Sequence, residues 1–205
     1  EGKALTPVMD LMRNGNESPS LDEISRVGFK GIVCIETGGP TPGLGCAGRG
    51  IISTFNLLED LQLFEKYNPD VVLYDVLGDV VCGGFAMPIR EGYAEKVFVI
   101  TSGENMAIHA AANIAEAVRN FESRGYATLG GIILNRRNVK NEEEKVLELA
   151  EDLKSKIAGS LDFSTYVQDA DELRKTVLEA FPQSEAAEMY RVLADNVLAI
   201  CGVRL

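Results

Sequence analysis

Residues 97–135, VFVITSGENMAIHAAANIAEAVRNFESRGYATLGGIILN, decide the fold. The stretch opens on a nearly continuous apolar run, Val97 to Thr101, and closes on another, Leu129 to Leu134. Strands covered on both faces read this way, because neither side meets water. Between the two runs, Glu104 to Ser123 carries apolar residues at helical spacing. Ser102, Gly103 and Glu104 put a hydroxyl and an acid at the mouth of that helix, where free amide groups and the positive dipole end favour them.

The same alternation extends outward in both directions. Gly31 to Glu36 and Val71 to Tyr74 are further strand candidates, with a weaker one at Ile157 to Phe163. Helical spacing recurs over Gly50 to Tyr67, Glu142 to Lys156, Ala170 to Ala180 and Ser184 to Ile200, with Asp169 or Asp171 as a candidate cap. Short apolar runs alternating with longer amphipathic segments predict an α/β fold, a doubly wound and mostly parallel sheet with helices on both faces. No stretch reads as a linker, so residues 1–205 are expected to form a single domain. Glu1 to Asn14 read as a loop followed by a helix. Nucleotide-binding domains of this class usually open instead with a buried strand and a glycine-rich phosphate loop. No GxxxxGK[ST] motif occurs, so the chain reads as lacking that first strand and loop.

Composition narrows the function. At 46% hydrophobic and 25% charged residues, the chain has the make-up of a folded domain, not of a disordered one. Its net charge of -11 argues against nucleic acid, whose phosphates need a basic surface. The apolar runs are far shorter than the roughly 20 residues of a membrane span, and no signal peptide is evident at the start. Cys34, Cys46, Cys82 and Cys201 are widely spaced and form no CxxC pair, which disfavours a disulfide scaffold or a zinc knuckle. A reducing, cytoplasmic setting is expected.

Two segments carry the chemistry. In GGPTPGLGCAGRG, residues 38–50, Cys46 falls between a predicted strand and a predicted helix. A helix mouth stabilises a thiolate, and small neighbours let a bulky inorganic group approach; alternatively Cys46 fills a tight turn. In VLYDVLGDVVCGGFAMP, residues 72–88, a strand again runs into a glycine-rich loop holding Cys82. Ligands of open α/β sheets sit at the carboxyl ends of the strands, so both cysteines could share one face. Two thiolates fall short of the four that a cubane cluster takes, and a twofold dimer would supply the others. Asp75, Val76, Leu77 and Gly78 form a DxxG element of the kind whose carboxylate senses magnesium and whose glycine amide senses a terminal phosphate; Asp75 and Asp79 alternatively read as loop caps, though two carboxylates flanking Gly78 suit a metal and a positioned water better than a cap requires.

GPTPGLGCAGRGII and YDVLGDVVCGGFAMPIREG resemble the two cysteine loops of nitrogenase iron proteins. The likeness continues through VITSGENMAIHAAANI and GGIILNRRN, and weakly through VQDADELRKTV. It implies a homodimer with one [4Fe-4S] cluster at its interface, coupling Mg-ATP hydrolysis to reduction of a larger nitrogenase or nitrogenase-like catalytic component. Cys46 and Cys82 match the cluster ligands. Arg49 matches an arginine at the partner-docking surface that is ADP-ribosylated in some members. Asp75, Gly78 and Asp79 match the switch that links nucleotide to cluster, with Asp79 placed by the attacking water. Asn135 matches the adenine contact, and Asp171 an acidic nucleoside contact. Asp75 and Cys82 are seven positions apart, so a shift of the switch would pull on a cluster ligand.

The chain also departs from that family. The phosphate loop is absent, so ATP hydrolysis by this chain alone is not expected. Leu161, Asp162, Phe163 and Ser164 stand where the usual proline and arginine would be, and the chain ends at Leu205 without the longer tail of many members. A cluster-free partitioning or scaffold ATPase of the same fold, or an inactive fragment, are the rival readings. The final substrate, dinitrogen or a tetrapyrrole or another, is not legible. Cys34 and Cys201 read as buried small hydrophobes, His109 as packed or solvated, and Asn141 to Glu144 as a solvated first helical turn.

Overall fold

The computed structural model describes residues 5–39, 47–78, 87–90 and 92–203, with the backbone alone for 47–49 and 90. The chain divides into two compact units, Glu1–Met87 and Pro88–Leu205.

The first unit is built from α1 (Val8–Arg13), α2 (Leu21–Ile24), β1 (Ser25–Val27), β2 (Val33–Ile35), α3 (Ala47–Asp60) and α4 (Leu63–Tyr67). Its core joins Val8, Leu21, Ile24, Leu57, Leu58 and Leu63. The Val8 and Met9 amides donate to the carbonyls of Glu36 and Thr37, which ties α1 to the chain leaving β2. The segment expected as a buried strand at Gly31 to Glu36 is instead β2, paired antiparallel with β1, and Cys34 on it is exposed. A two-stranded ribbon leaves one side of each strand to solvent, which is why the apolar run here does not mean burial. The helix expected over Gly50 to Tyr67 breaks in two where Gln62 adopts a left-handed φ of 52°.

Val71 to Tyr74 is not a strand. Residues 71–77 carry no regular structure, and Leu73 is 84% exposed. β-branched residues favour extended backbone, but a strand also needs a neighbour for its ladder. Among the described residues none pairs with this run. Tyr74 is half-buried, its ring 5.4 Å from that of Phe55, and burial pushes its phenol pKa up.

Two local features of this unit lead to measurable expectations. Thr54 in α3 is buried, and its hydroxyl has no hydrogen-bond partner among the described residues. Thr54→Val removes that unsatisfied group while keeping the shape, so it should stabilise the protein by about 1 kcal/mol. A denaturation midpoint that falls would contradict this. At α2, the Glu23 carboxylate accepts from the Ser20 amide and hydroxyl, each at 2.8 Å, and from the Asn16 side chain at 3.0 Å. The Ser20 amide bond, the largest of these effects, holds the Glu23 pKa below the ordinary carboxylate range. A depressed folded pKa stabilises fully above the unfolded value, and that contribution is lost as pH falls through the folded one. The Ser20 amide resonance should therefore titrate with Glu23 on the acid side of ordinary glutamates; a pH-independent resonance would refute the cap.

The second unit holds β3 (Lys96–Thr101), α6 (Asn105–Glu122), β4 (Thr128–Asn135), α7 (Glu142–Asp152), β5 (Ile157–Leu161), α8 (Thr165–Glu172), α9 (Val177–Ala180) and α10 (Glu185–Cys201). The short α5 (Met87–Arg90) spans the division between the units. The strands form a parallel sheet in the order β3-β4-β5. Ile132 and Leu134 join Val99, Ala111, Ala115 and Val146 in the core beneath α6 and α7. Ile133 points the other way, and its partner Gly159 lies under α10, where an added Cβ would sit 2.7 Å from Leu193 Cδ1. Helices therefore cover both faces of this sheet, as the apolar runs predict. Gly130 is equally tight against the Phe98 ring, whose Cζ would lie 2.8 Å from an added Cβ.

Several boundaries differ from expectation. The helix predicted over Ala170 to Ala180 is two, α8 and α9, separated where Arg174 takes φ 53°. Their caps are Ser164 and Thr176, while Asp169 and Asp171 lie inside α8. Ser102 is buried and donates to the Glu104 carboxylate, and Glu104 is itself the cap residue of α6. No helix among the described residues is long and apolar enough to cross a membrane.

Candidate functional site

The carboxyl ends of β4 and β5 lie side by side, with Asn135 paired to Leu161. Beyond β4 the chain turns through Arg136 and Arg137, and beyond β5 through Asp162, Phe163 and Ser164. Between them lies a cavity of about 250 Å³ lined by Asn135, Phe163, Val167, Met189 and Tyr190 among others. A second space of about 320 Å³ adjoins it and shares Phe163 and Met189. Asn135 is exposed, and its side-chain amide makes no hydrogen bond among the described residues.

Five contacts fix the loops around this cavity. The Arg136 amide donates to the Leu161 carbonyl at 2.8 Å. The Arg136 guanidinium lies 2.9 Å from Asp162 and 3.1 Å from Glu143, joining the two loops to the start of α7. Both carboxylates are largely exposed, so each pair contributes at most about 1 kcal/mol and acts mainly on geometry. Glu142 accepts from the Arg137 amide at 2.9 Å. It is buried, not the solvated acid that its place in an acidic run predicts, because it packs against Gly103. Lys145 donates to the Gly103 carbonyl at 3.1 Å, closing the link between the end of β3 and α7.

Of the residues singled out from sequence, Asn135 lies in this cavity. Asp171 is exposed on α8, one turn beyond Gln168, and does not line it. Asp75 and Gly78 are exposed in the irregular segment of the first unit. Cys46, Cys82 and Asp79 lie outside the described residues, as does the side chain of Arg49. α3 begins at Ala47, the residue after Cys46 in the chain, and Arg49 belongs to its first turn. His109 is exposed on α6, 3.4 Å from the Asn113 amide. Cys34 is exposed and Cys201 only partly buried, so the reading of both as buried hydrophobes is corrected: one lies on an open two-stranded ribbon, the other at the end of the last helix.

Sequence reasoning missed Phe163, Asp162 and the burial of Glu142. The signal for the first two was present, since they replace the proline and arginine usual in the family resembled.

The fold is that of α/β P-loop NTPases. The chain resembles the Pyrococcus furiosus cell division ATPase MinD, with TM-score 0.66 at 11% identity over 97% of this chain and 78% of that one. It also resembles the Aquifex aeolicus cell division protein MinD, with TM-score 0.65 at 14% identity over 100% and 78%. A ParA family ATPase from Chlorobium tepidum TLS gives 0.59 at 15% identity over 96% and 76%. At the level of sequence, the chain belongs to the 4Fe-4S iron sulfur cluster binding proteins of the NifH/frxC family, whose profile matches residues 1–201. It is 46% identical to nitrogenase iron protein 2 of Methanothermobacter thermautotrophicus, over 96% of this chain and 72% of that protein. Its identity to the nitrogenase iron protein of Methanospirillum hungatei JF-1 is 45%, over 97% and 71%. The family binds a [4Fe-4S] cluster and Mg-ATP, and at that coarse level the chain is an electron donor of the NifH type.

The donor chemistry of the chain fits such a cluster. Among the described residues no group of three or more His, Cys, Asp or Glu is placed to hold a metal. Cys34 and Cys201 belong to different units. Cys46 and Cys82, each in a glycine-rich stretch of the sequence, would supply two thiolates per chain, half of the four that a cubane takes.

Proposed function

We propose that the chain is an ATP-dependent iron-sulfur electron donor that reduces a nitrogenase or nitrogenase-like catalytic component. The observation that carries this is the family match over residues 1–201, which spans both cysteine loops and the β4 end. In this reading the protein is a homodimer working in a reducing cytoplasm. Cys46 and Cys82 of each copy hold the shared [4Fe-4S] cluster, which supplies one-electron transfer. Asp75 and Gly78 sense magnesium and the terminal phosphate of ATP, and Asp79 orients the attacking water. Asn135 presents its free amide to the adenine edge, and Asp171 acts as a further nucleoside contact. Arg49, in the first turn of α3, belongs to the surface that meets the catalytic component and is a candidate for ADP-ribosylation. Residues 1–205 act as one functional domain.

The geometry at β4 supports the nucleotide part of this reading. Ligands of open α/β sheets lie beyond the carboxyl ends of the strands, and the Asn135 cavity lies there. Anaerobic reconstitution tests the whole. Four irons per dimer and a reducible cluster signal are expected, whereas a tight dimer without iron would favour a partitioning-type ATPase instead.

A further inference from the structure

We infer that Phe163 is the platform on which the nucleobase stacks, and that the Arg136–Asp162 ion pair holds it in place. The inference rests on the reading that the Asn135 cavity takes the base of ATP.

Phe163 is 48% exposed and lines both neighbouring cavities, so its ring is open to a ligand lying in either. The residues on either side of it are fixed. Asp162 is tied to Arg136 at 2.9 Å, and Ser164 caps α8 by accepting from the Tyr166 amide at 3.3 Å. A ring held between two anchored neighbours gives up little freedom when a ligand stacks on it, which favours binding.

The rest of the lining suits a flat heteroaromatic. Val167 and Met189 are apolar, while the Asn135 amide offers one donor face and one acceptor, the pair that an adenine edge complements. At about 250 Å³ the cavity is smaller than the roughly 300–1,000 Å³ of pockets that enclose drug-sized ligands. It has room for a base, with sugar and phosphates outside. Phe163 is thus a binding residue and Arg136 a positioning residue, acting through Asp162.

The test uses Mg-ATP binding by calorimetry, with proton NMR of the adenine H2 and H8 resonances. Stacking on a phenyl face moves these resonances upfield in the unaltered protein. Phe163→Leu keeps apolar volume but removes the π-face; it should weaken Mg-ATP about tenfold and abolish the upfield shift. Phe163→Tyr should retain both. Adenosine, which carries the base without the phosphates, should bind the Leu variant more weakly than the unaltered protein by the same factor as Mg-ATP. Asp162→Asn should weaken Mg-ATP by a smaller factor, about threefold, and reduce the shift. If Phe163→Leu binds Mg-ATP and adenosine with unchanged affinity and shift, the stacking role is overturned while the functional reading stands. If the unaltered protein binds neither adenosine nor Mg-ATP, the functional reading falls and the stacking role falls with it.

Discussion

Reconstituted Cys82→Ser protein should bind fewer than one iron per dimer, against four for the unaltered chain, and Cys46→Ser should behave the same way. The expectation follows from counting ligands. In the proposed homodimer each copy supplies two thiolates, so one substitution removes two of the four sulfurs of a symmetric site. Serine is close to isosteric, but its hydroxyl stays protonated near neutral pH and is a poor ligand for iron. The loss should be specific to cluster ligands: Cys34→Ser and Cys201→Ser, on the β1–β2 ribbon and at the end of α10, should retain iron. Iron analysis and the visible absorption of the oxidised cluster read the result directly. Full iron retention by Cys82→Ser would remove the foundation of the proposed function.

The second large effect is expected at Gly103. A Cβ there would run into the Cβ of Glu142 and lie 2.6 Å from its Cα, which is backbone and cannot swing aside. Gly103→Ala should therefore cost about 3 kcal/mol, the upper end of ordinary overpacking. For a chain of this size that corresponds to a fall in Tm of roughly 6–12 °C. The damage should reach the site as well. Glu142 holds the Arg137 amide, two residues from Asn135, so displacing α7 loosens the loop beside the proposed adenine contact. Mg-ATP affinity should drop in parallel with stability. A variant that melts normally would mean that α7 yields at no cost, contrary to the close packing of this corner.

The second unit was the more legible of the two. Val97 to Thr101 and Glu104 to Ser123 match β3 and α6 to within a residue, because long apolar runs and an 18-residue amphipathic period dominate local preferences there. Elsewhere the signals were weaker. The break at Gln62 and the one at Arg174 carry neither glycine nor proline, so no local punctuation marks them. β1, three residues long, is too short for alternation to register. Val71 to Tyr74 has strand composition and no ladder partner among the described residues, and partners are tertiary information.

The site divides in the same way. Asn135 could be found because GGIILNRRN resembles the matching stretch of the family, where a polar residue closes a buried strand. Phe163 stood out only as a departure from the family resembled, since an apolar residue after β5 reads as the end of the strand, and its place beside the cavity is tertiary information. Glu142 was misread because three glutamates at a helix start look alike in sequence. Packing against Gly103 is what singles one of them out.

Gly103, Gly130 and Gly159 have a shared consequence for how this sequence can change over time. Each leaves room that a side chain from another element already occupies: Glu142, Phe98 and Leu193. Substitution at Gly130 or Gly159 is eased by a smaller residue at Phe98 or Leu193, so those pairs are expected to vary jointly, whereas Gly103 meets the backbone of Glu142 and is expected to stay fixed.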